Sequence, residues 1–332
     1  MLMTCQLCNH EVRLIQSGFP GYQAGQAFGI FECPNCNVSI AMPIITADHL
    51  YELIYQNIAH IPGYCRYLKY FNRVSQESFP LDYLCAQEES YWAVGSYLRE
   101  KRTKEGSFSV LEIGSGMGYF TYALAVDGFQ IKGIDISDEA VSAASAKFGN
   151  LFICSDLESH AKQAQHLYDV IVMNQLIEHV TDLNCLLQTA LQLLAPRGTL
   201  LITTPNKGVY KGSTWGTELP PVHHWWLSED TLSNLALRFG LQLDFVDFSQ
   251  FYREQYRSYD FATPVPAPQS FLAADGSLLV SVKVSELRER FRDFTDKYHL
   301  KPVYRRIRDA LMGKSRWLGS KGPDICAILQ RN

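Results

Sequence analysis

Apolar residues in this chain recur in two rhythms that alternate along its middle. Val110, Leu111 and Ile113 form a short apolar run that ends at once in Gly114, Ser115, Gly116 and Gly118. Such a run predicts a buried strand entering a tight turn, with a helix starting near Thr121. A second strand is expected to end at Asp135, a third to cover Leu151–Cys154, a fourth Val170–Met173 and a fifth Thr199–Thr203. The fourth is apolar throughout, which fits a strand buried on both faces of a parallel sheet. Helices are expected at Ser137–Lys147, Leu183–Leu194 and Ser228–Phe239. Ser137 suits an N-cap, with Asp138 and Glu139 in the first turn, and Gly240 suits a C-terminal stop. Leu241–Phe248 alternates as a half-exposed sixth strand, and Asp324–Arg331 reads as the seventh.

The flanks carry helical spacing. Thr46 is placed to cap a helix over Ala47–Ala59, with Leu50, Leu53, Ile54 and Ile58 on one face and a break at Ile61–Gly63. Tyr64–Phe71 is dense in aromatics and is expected to pack as a helix on the core or to form a lid. Asp82–Lys104 reads as one long helix. Between the sixth and seventh strands lies an insertion. In it Val284, Leu287, Phe291, Phe294 and Tyr298 recur at alternating steps of three and four, the spacing of a helix seam.

A strand–glycine–helix junction lets a ligand approach bare backbone. The spacing is not that of a dinucleotide fingerprint. The third glycine comes one residue early and Tyr119 stands where a small residue belongs. A phosphate-loop motif is absent as well. Asp135 follows Gly114 by 21 residues, at a strand end, where a carboxylate suits a ribose diol. The ligand should therefore carry a ribose with free hydroxyls, and the turn need not hold a pyrophosphate.

The E-x-G-x-G-x-G turn from Glu112 with Asp135, the segment Tyr168–His179 and the segment Leu193–Asn206 resemble, in order, the Rossmann-like class of S-adenosylmethionine (SAM) methyltransferases. Glu178-His179-Val180, and the Pro-x-His before the helix at Ser228, are similar to its small-molecule branch. The resemblance implies an α/β fold, with a seven-stranded, mostly parallel sheet, helices on both faces and the last strand antiparallel between the fifth and sixth. It implies that Glu112, Gly114, Ser115, Gly116, Gly118 and Tyr119 form the turn around the cofactor's methionine end. Asp135 would lie at the ribose and Asp156 at the adenine, with Ile136 and Leu157 beside them against the cofactor, and Asn174 and Gln175 near the methionine part. The reaction implied is in-line attack of an acceptor O, N or C on the sulfonium methyl.

Two C-x-x-C pairs, Cys5/Cys8 and Cys33/Cys36, lie 24 residues apart across a glycine-rich stretch. Each pair can put two thiolates on one side of a zinc ion, and four thiolates leave no open position, so the metal is expected to be structural. The nine cysteines are odd in number and scattered, and the N-terminus shows no basic region followed by an apolar core. Both features point to reduced thiols in a cytoplasmic protein. With 47% hydrophobic and 19% charged residues, composition is that of an ordinary globular chain, and no stretch reaches the length of a membrane span.

The loop over residues 204–226 holds Tyr210, Trp215, Trp225, Trp226, His223 and His224, and leaves a strand beside the cofactor end, so it is expected to line the acceptor pocket. His223, His224 and, at the end of the fourth-strand segment, His179 are the candidate general bases. The acceptor is expected to be a small molecule, with a deoxysugar among the possibilities because sugar C-methyltransferases of similar make-up carry a Cys-bound zinc. Two rivals remain. One is an RNA methyltransferase gripping RNA with the ribbon and the insertion, where eleven Lys/Arg face five Asp/Glu between Lys283 and Arg316; the net charge of −4 argues against it. The other is a non-catalytic SAM-binding module. The organisation expected is a ribbon over 1–45, a helical lid or linker over 46–81, the methyltransferase core over 82–250, a helical insertion over 251–322 and a final core strand over 323–332.

Overall fold

The structure is a computed structural model describing residues 3–46, 48–210, 219–259, 261, 267–281, 286–298 and 300–331. Strands β1 (Arg13–Pro20), β2 (Ala27–Glu32) and β3 (Ser39–Met42) come first, then helices α1 (Asp48–Gln56), α2 (Cys65–Arg73), α3 (Pro80–Gln87) and α4 (Glu89–Glu105). The central run is β4 (Ser109–Ile113), α5 (Tyr119–Val126), β5 (Gln130–Asp135), α6 (Asp138–Phe148), β6 (Phe152–Cys154), α7 (Leu157–Gln163), β7 (Tyr168–Asn174), α8 (Leu183–Leu193) and β8 (Leu194–Pro205). It continues with β9 (Trp225–Trp226), α9 (Glu229–Phe239), β10 (Leu241–Phe245), α10 (Ser249–Gln255), α11 (Glu286–Lys297), α12 (Lys301–Leu311) and β11 (Asp324–Arg331).

Seven strands form one sheet in the order β10-β11-β8-β7-β4-β5-β6. The stretch from β8 to β6 is parallel, and β11 runs antiparallel to both of its neighbours, as the family resemblance implies. Side chains alternate across the pleat. Leu111, Ile171 and Met173 face one apolar cluster with Leu187 of α8 and Leu235 of α9. Val110, Val170 and Val172 face the other, with Leu84, Val94 and Phe120 of α3, α4 and α5. Helices thus cover both faces. The expected N-cap forms: Ser137 Oγ accepts from the Ala140 amide at 3.2 Å.

Three expectations change. The long helix over Asp82–Lys104 is two helices, broken at Glu88, whose backbone is extended. No glycine or proline marks the break. The Glu88 carboxylate is drawn instead toward α2, accepting from Tyr70 Oη at 2.7 Å and pairing with Arg66 at 2.8 Å. The aromatic loop is also different. Trp225 and Trp226 are not part of an irregular loop: they form β9, pair with β3 and are buried. Trp215 lies outside the described residues. Finally, the seam Leu287–Tyr298 is on a helix but faces solvent; Val284 lies outside the described residues.

The cysteine ribbon is joined to the core more closely than its place in the sequence implies. Its sheet runs β1-β2-β3-β9, so its fourth strand comes from the loop after β8. Cys5, Cys33, Cys36 and Ile40 share one apolar cluster with Leu111, Met173 and Leu232. Thr231 Oγ1 donates to the Cys36 carbonyl at 2.8 Å, and Lys207 Nζ meets the Glu32 carboxylate at 2.6 Å.

Candidate active site

The strand β4 ends in a turn in which Gly114, Gly116 and Gly118 all have positive φ (75°, 49° and 73°). Two of them are also held by crowding. A Cβ at Gly114 would lie 2.7 Å from Leu176, and one at Gly118 would lie 2.5 Å from the Phe152 ring. Gly116 faces room: the nearest atom to its Cβ position is Tyr55 Oη of α1, at 3.8 Å. Asp135 binds this turn directly. Its Oδ2 accepts from the Gly116 amide at 2.7 Å and its Oδ1 from the Ser137 amide at 2.9 Å. Burial raises the Asp135 pKa while those amides act against the rise.

Other predicted site residues fall around that turn in different roles. Glu112 is buried beneath it and accepts from Thr121 Oγ1 of α5. Ser115 is buried and Tyr119 half-buried, its hydroxyl 2.7 Å from that of Tyr91. Ile136 is 71% exposed beside Asp135, an apolar side chain left without cover. Asp156 caps α7, accepting from the Ser159 amide at 2.8 Å, and that bond lowers its pKa. Leu157 follows it, half-buried. Asn174 Oδ1 accepts from Thr203 Oγ1 at 2.7 Å, and the backbone amide of Gln175, at φ 53°, donates to both the carbonyl and the hydroxyl of Thr203 at 3.1 Å.

The structure brings His179 and His223 together, edge to face with ring centroids 4.3 Å apart. His179 Nδ1 lies 2.8 Å from the Val222 carbonyl. A carbonyl only accepts, so Nδ1 carries the proton and Nε2 the lone pair. Burial depresses the His179 pKa to about 4 and drives that of His223 well below its usual value. His224 is different. Its ring is 1% exposed, its amide donates to the Glu178 carbonyl and its carbonyl accepts from Ala41 of β3. Glu178 is buried, and desolvation raises its pKa to about 8, which favours the neutral acid. Its Oε1 and His223 Nδ1 are buried and lack hydrogen-bond partners among the described residues, as polar atoms facing a ligand would.

Tyr51 and Tyr55 of α1 are not among the residues singled out from sequence. Tyr51 Oη lies 3.2 Å from His179 Nδ1, and Tyr55 stands over Gly116. The two are four apart on one helix face, beside the apolar stripe that draws attention first. That spacing was the available signal.

Burial of Glu112 gives a prediction about stability. Desolvation lifts its pKa from 4.5 to about 8, with the Thr121 bond opposing. A raised folded pKa contributes stability that is present below the unfolded value and lost as pH rises through the folded one. Glu112→Gln keeps an acceptor for Thr121 and removes the ionisation. The melting temperature of wild type should therefore fall relative to this variant between pH 4.5 and about 8, then run parallel to it. Parallel melting curves over that whole window would show that Glu112 is not the titrating group.

A family model described as a methyltransferase domain matches residues 66–245, just over half of the chain. The chain belongs to this methyltransferase-domain family. The ubiquinone biosynthesis O-methyltransferase of Vibrio cholerae serotype O1 (strain ATCC 39315 / El Tor Inaba N16961) is 30% identical over 119 residues, covering 34% of this chain and 49% of that protein. The mitochondrial ubiquinone biosynthesis O-methyltransferase of Homo sapiens is 30% identical over 156 residues, covering 41% and 42%. The chain thus spans about half the length, or less, of these curated relatives. Among solved structures, the plantazolicin methyltransferase BpumL in complex with SAH aligns with a TM-score of 0.44 at 15% identity, over 86% of this chain and 98% of that one. A SAM-dependent methyltransferase from Archaeoglobus fulgidus aligns at 0.41 and 18%, over 72% and 93%.

The four cysteines of the ribbon also converge. Their Sγ atoms lie within 4.8 Å of one another, with Cys5–Cys36 at 3.7 Å and Cys8–Cys33 at 3.3 Å. Arms of 2.3 Å in a tetrahedron imply edges of about 3.8 Å, so the set fits a zinc ion. Among the described residues no helix is long and apolar enough to cross a membrane.

Proposed function

We propose that the protein transfers a methyl group from S-adenosylmethionine to a small-molecule acceptor. The observation that carries this is the bare backbone of Gly116 beside the half-buried Asp135, with open space in front and Tyr55 above. Asp135 would take the ribose hydroxyls, the turn Gly114–Gly118 the methionine end, and exposed Ile136 the adenine face. The cofactor supplies a methyl already activated on a sulfonium. What remains for the chain is alignment of the acceptor, exclusion of water and removal of a proton where the acceptor is protic. His179, neutral with its lone pair on Nε2, is the base in this reading; His223 holds its ring edge-on and Tyr51 closes α1 over it. The names of the relatives that match the core support a small-molecule acceptor. We further propose that Cys5, Cys8, Cys33 and Cys36 hold a structural zinc.

Calorimetry tests the cofactor reading. Wild type should bind SAM and not NADH. Gly116→Arg should abolish the binding, since a long cation would fill the space in front of the turn. A folded wild-type protein that binds NADH and leaves SAM unbound would overturn the proposal.

A further inference from the structure

Helices α11 and α12 are packed in the reverse of the usual sense. Toward the domain they present charge. Asp296 is buried between Lys69 of α2 and Lys301, Asp293 meets Arg73 at 3.0 Å, and Asp309 is buried against Ser258 at 2.7 Å. Toward solvent they present hydrocarbon. On α11 Leu287 is 80% exposed, with Phe291 and Phe294 along the same stripe; on α12 Leu311 is 83% exposed, with Val303 and Ile307. Phe291 meets Tyr304 across the pair with ring centroids 5.1 Å apart, so the two stripes are continuous. Apolar surface of this extent on a soluble domain marks a contact.

Charge at the rim indicates what covers it. The segment from Lys283 to Arg316 carries eleven Lys/Arg against five Asp/Glu, in a chain whose net charge is −4. Three of those acids, Asp293, Asp296 and Asp309, are engaged with the domain or with a neighbouring cation. Arg290 and Arg306 stand exposed beside the stripe. Next to it a cleft of about 600 Å³ is lined by Arg253, Arg306 and Arg316 together with Tyr256, Val303 and Leu318. One carboxylate, Glu254, also lines it and accepts from Gln250 at 2.8 Å. A second copy of the chain does not suit this face, because a two-fold contact sets each arginine of the rim against an identical rim. An acidic lipid surface suits both features: acyl chains cover the stripe, and a headgroup phosphate takes the arginine cleft.

We propose that α11 and α12 dock this protein on a bilayer rich in anionic lipid. Flotation with vesicles tests it. The full chain should bind vesicles of equimolar phosphatidylcholine and phosphatidylglycerol, less so as salt is raised, and should leave pure phosphatidylcholine vesicles unbound. Ile307→Ser combined with Leu311→Ser should abolish the binding. Arg253→Gln, Arg306→Gln and Arg316→Gln together should weaken it by at least about tenfold. All five positions lie on the surface, and circular-dichroism melts of the variants should match wild type. Absence of binding to the acidic vesicles, or equal binding to both kinds, overturns the proposal. So does a concentration-dependent dimer in sedimentation that the Ile307/Leu311 variant dissolves, since that gives the face to a second copy.

Discussion

Replacing Cys33 and Cys36 by serine should strip the protein of one zinc per chain, lower its melting temperature sharply and remove most of its turnover. The first effect follows from the four sulfurs lying within 4.8 Å of one another. The second follows from size. Ribbon strands β1, β2 and β3 are short, and structural zinc contributes about 10–16 kcal/mol of apparent binding energy in small zinc peptides at neutral pH. Without the ion, the remaining Cys5 and Cys8 thiols face the two serine hydroxyls in a site with nothing left to coordinate. The third effect is specific to this packing. Strand β3 holds Trp225–Trp226 as its neighbour, and His223 and His224 stand immediately before that strand. Loss of the ribbon therefore loosens the segment that carries them, while Asp135 ends β5 and Gly116 lies in the turn after β4, both in the core. SAM affinity should fall by less than turnover does. Elemental analysis, melting curves and calorimetry on one preparation separate these effects. Zinc retained when all four cysteines are serine would show that the metal sits elsewhere; unchanged turnover in zinc-free protein would break the link to the histidine segment.

The core was legible because its signals are local. Val170–Met173 is a short, wholly apolar run with β-branched residues, which favours a doubly buried strand, and Gly114, Gly116 and Gly118 mark a turn wherever the chain goes afterwards. The antiparallel β11 was legible only through resemblance, since nothing in Asp324–Arg331 states its direction. What could not be read depends on partners far along the chain. The break at Glu88 is made by Tyr70 and Arg66, and no residue next to it betrays it. Trp225 and Trp226 read as loop residues until β3 is seen beside them. The seam Leu287–Tyr298 has the spacing of a buried face, and periodicity identifies a face without saying what covers it. In the site, the histidines were visible as residue types. The division of labour we propose for them was not, because it rests on the Val222 carbonyl and on the Tyr51 hydroxyl.

That division makes His179→Asn the substitution of largest effect on chemistry. Asn keeps a donor for the Val222 carbonyl and loses the lone pair at Nε2. Turnover with a protic acceptor should fall by roughly 10²–10⁴, with SAM affinity near wild type. His223→Asn should act mainly on the acceptor's Michaelis constant, and His224→Asn mainly on stability, because its ring is buried and its backbone is bound on both sides. The pH profile carries an independent signature. A histidine whose folded pKa is lowered stays neutral down to that pKa, so its share of turnover is present at neutral pH and is lost only as pH falls through about 4. The cause is burial, with the nearby His224 adding to it and the Val222 bond opposing. An acid limb near the ordinary histidine value of about 6.5 would mean that an exposed group, not His179, removes the proton. Labelled SAM with candidate acceptors identifies a substrate for the assay. Full turnover in all three single Asn variants would leave the chain without a histidine base, and alignment alone would then carry the rate.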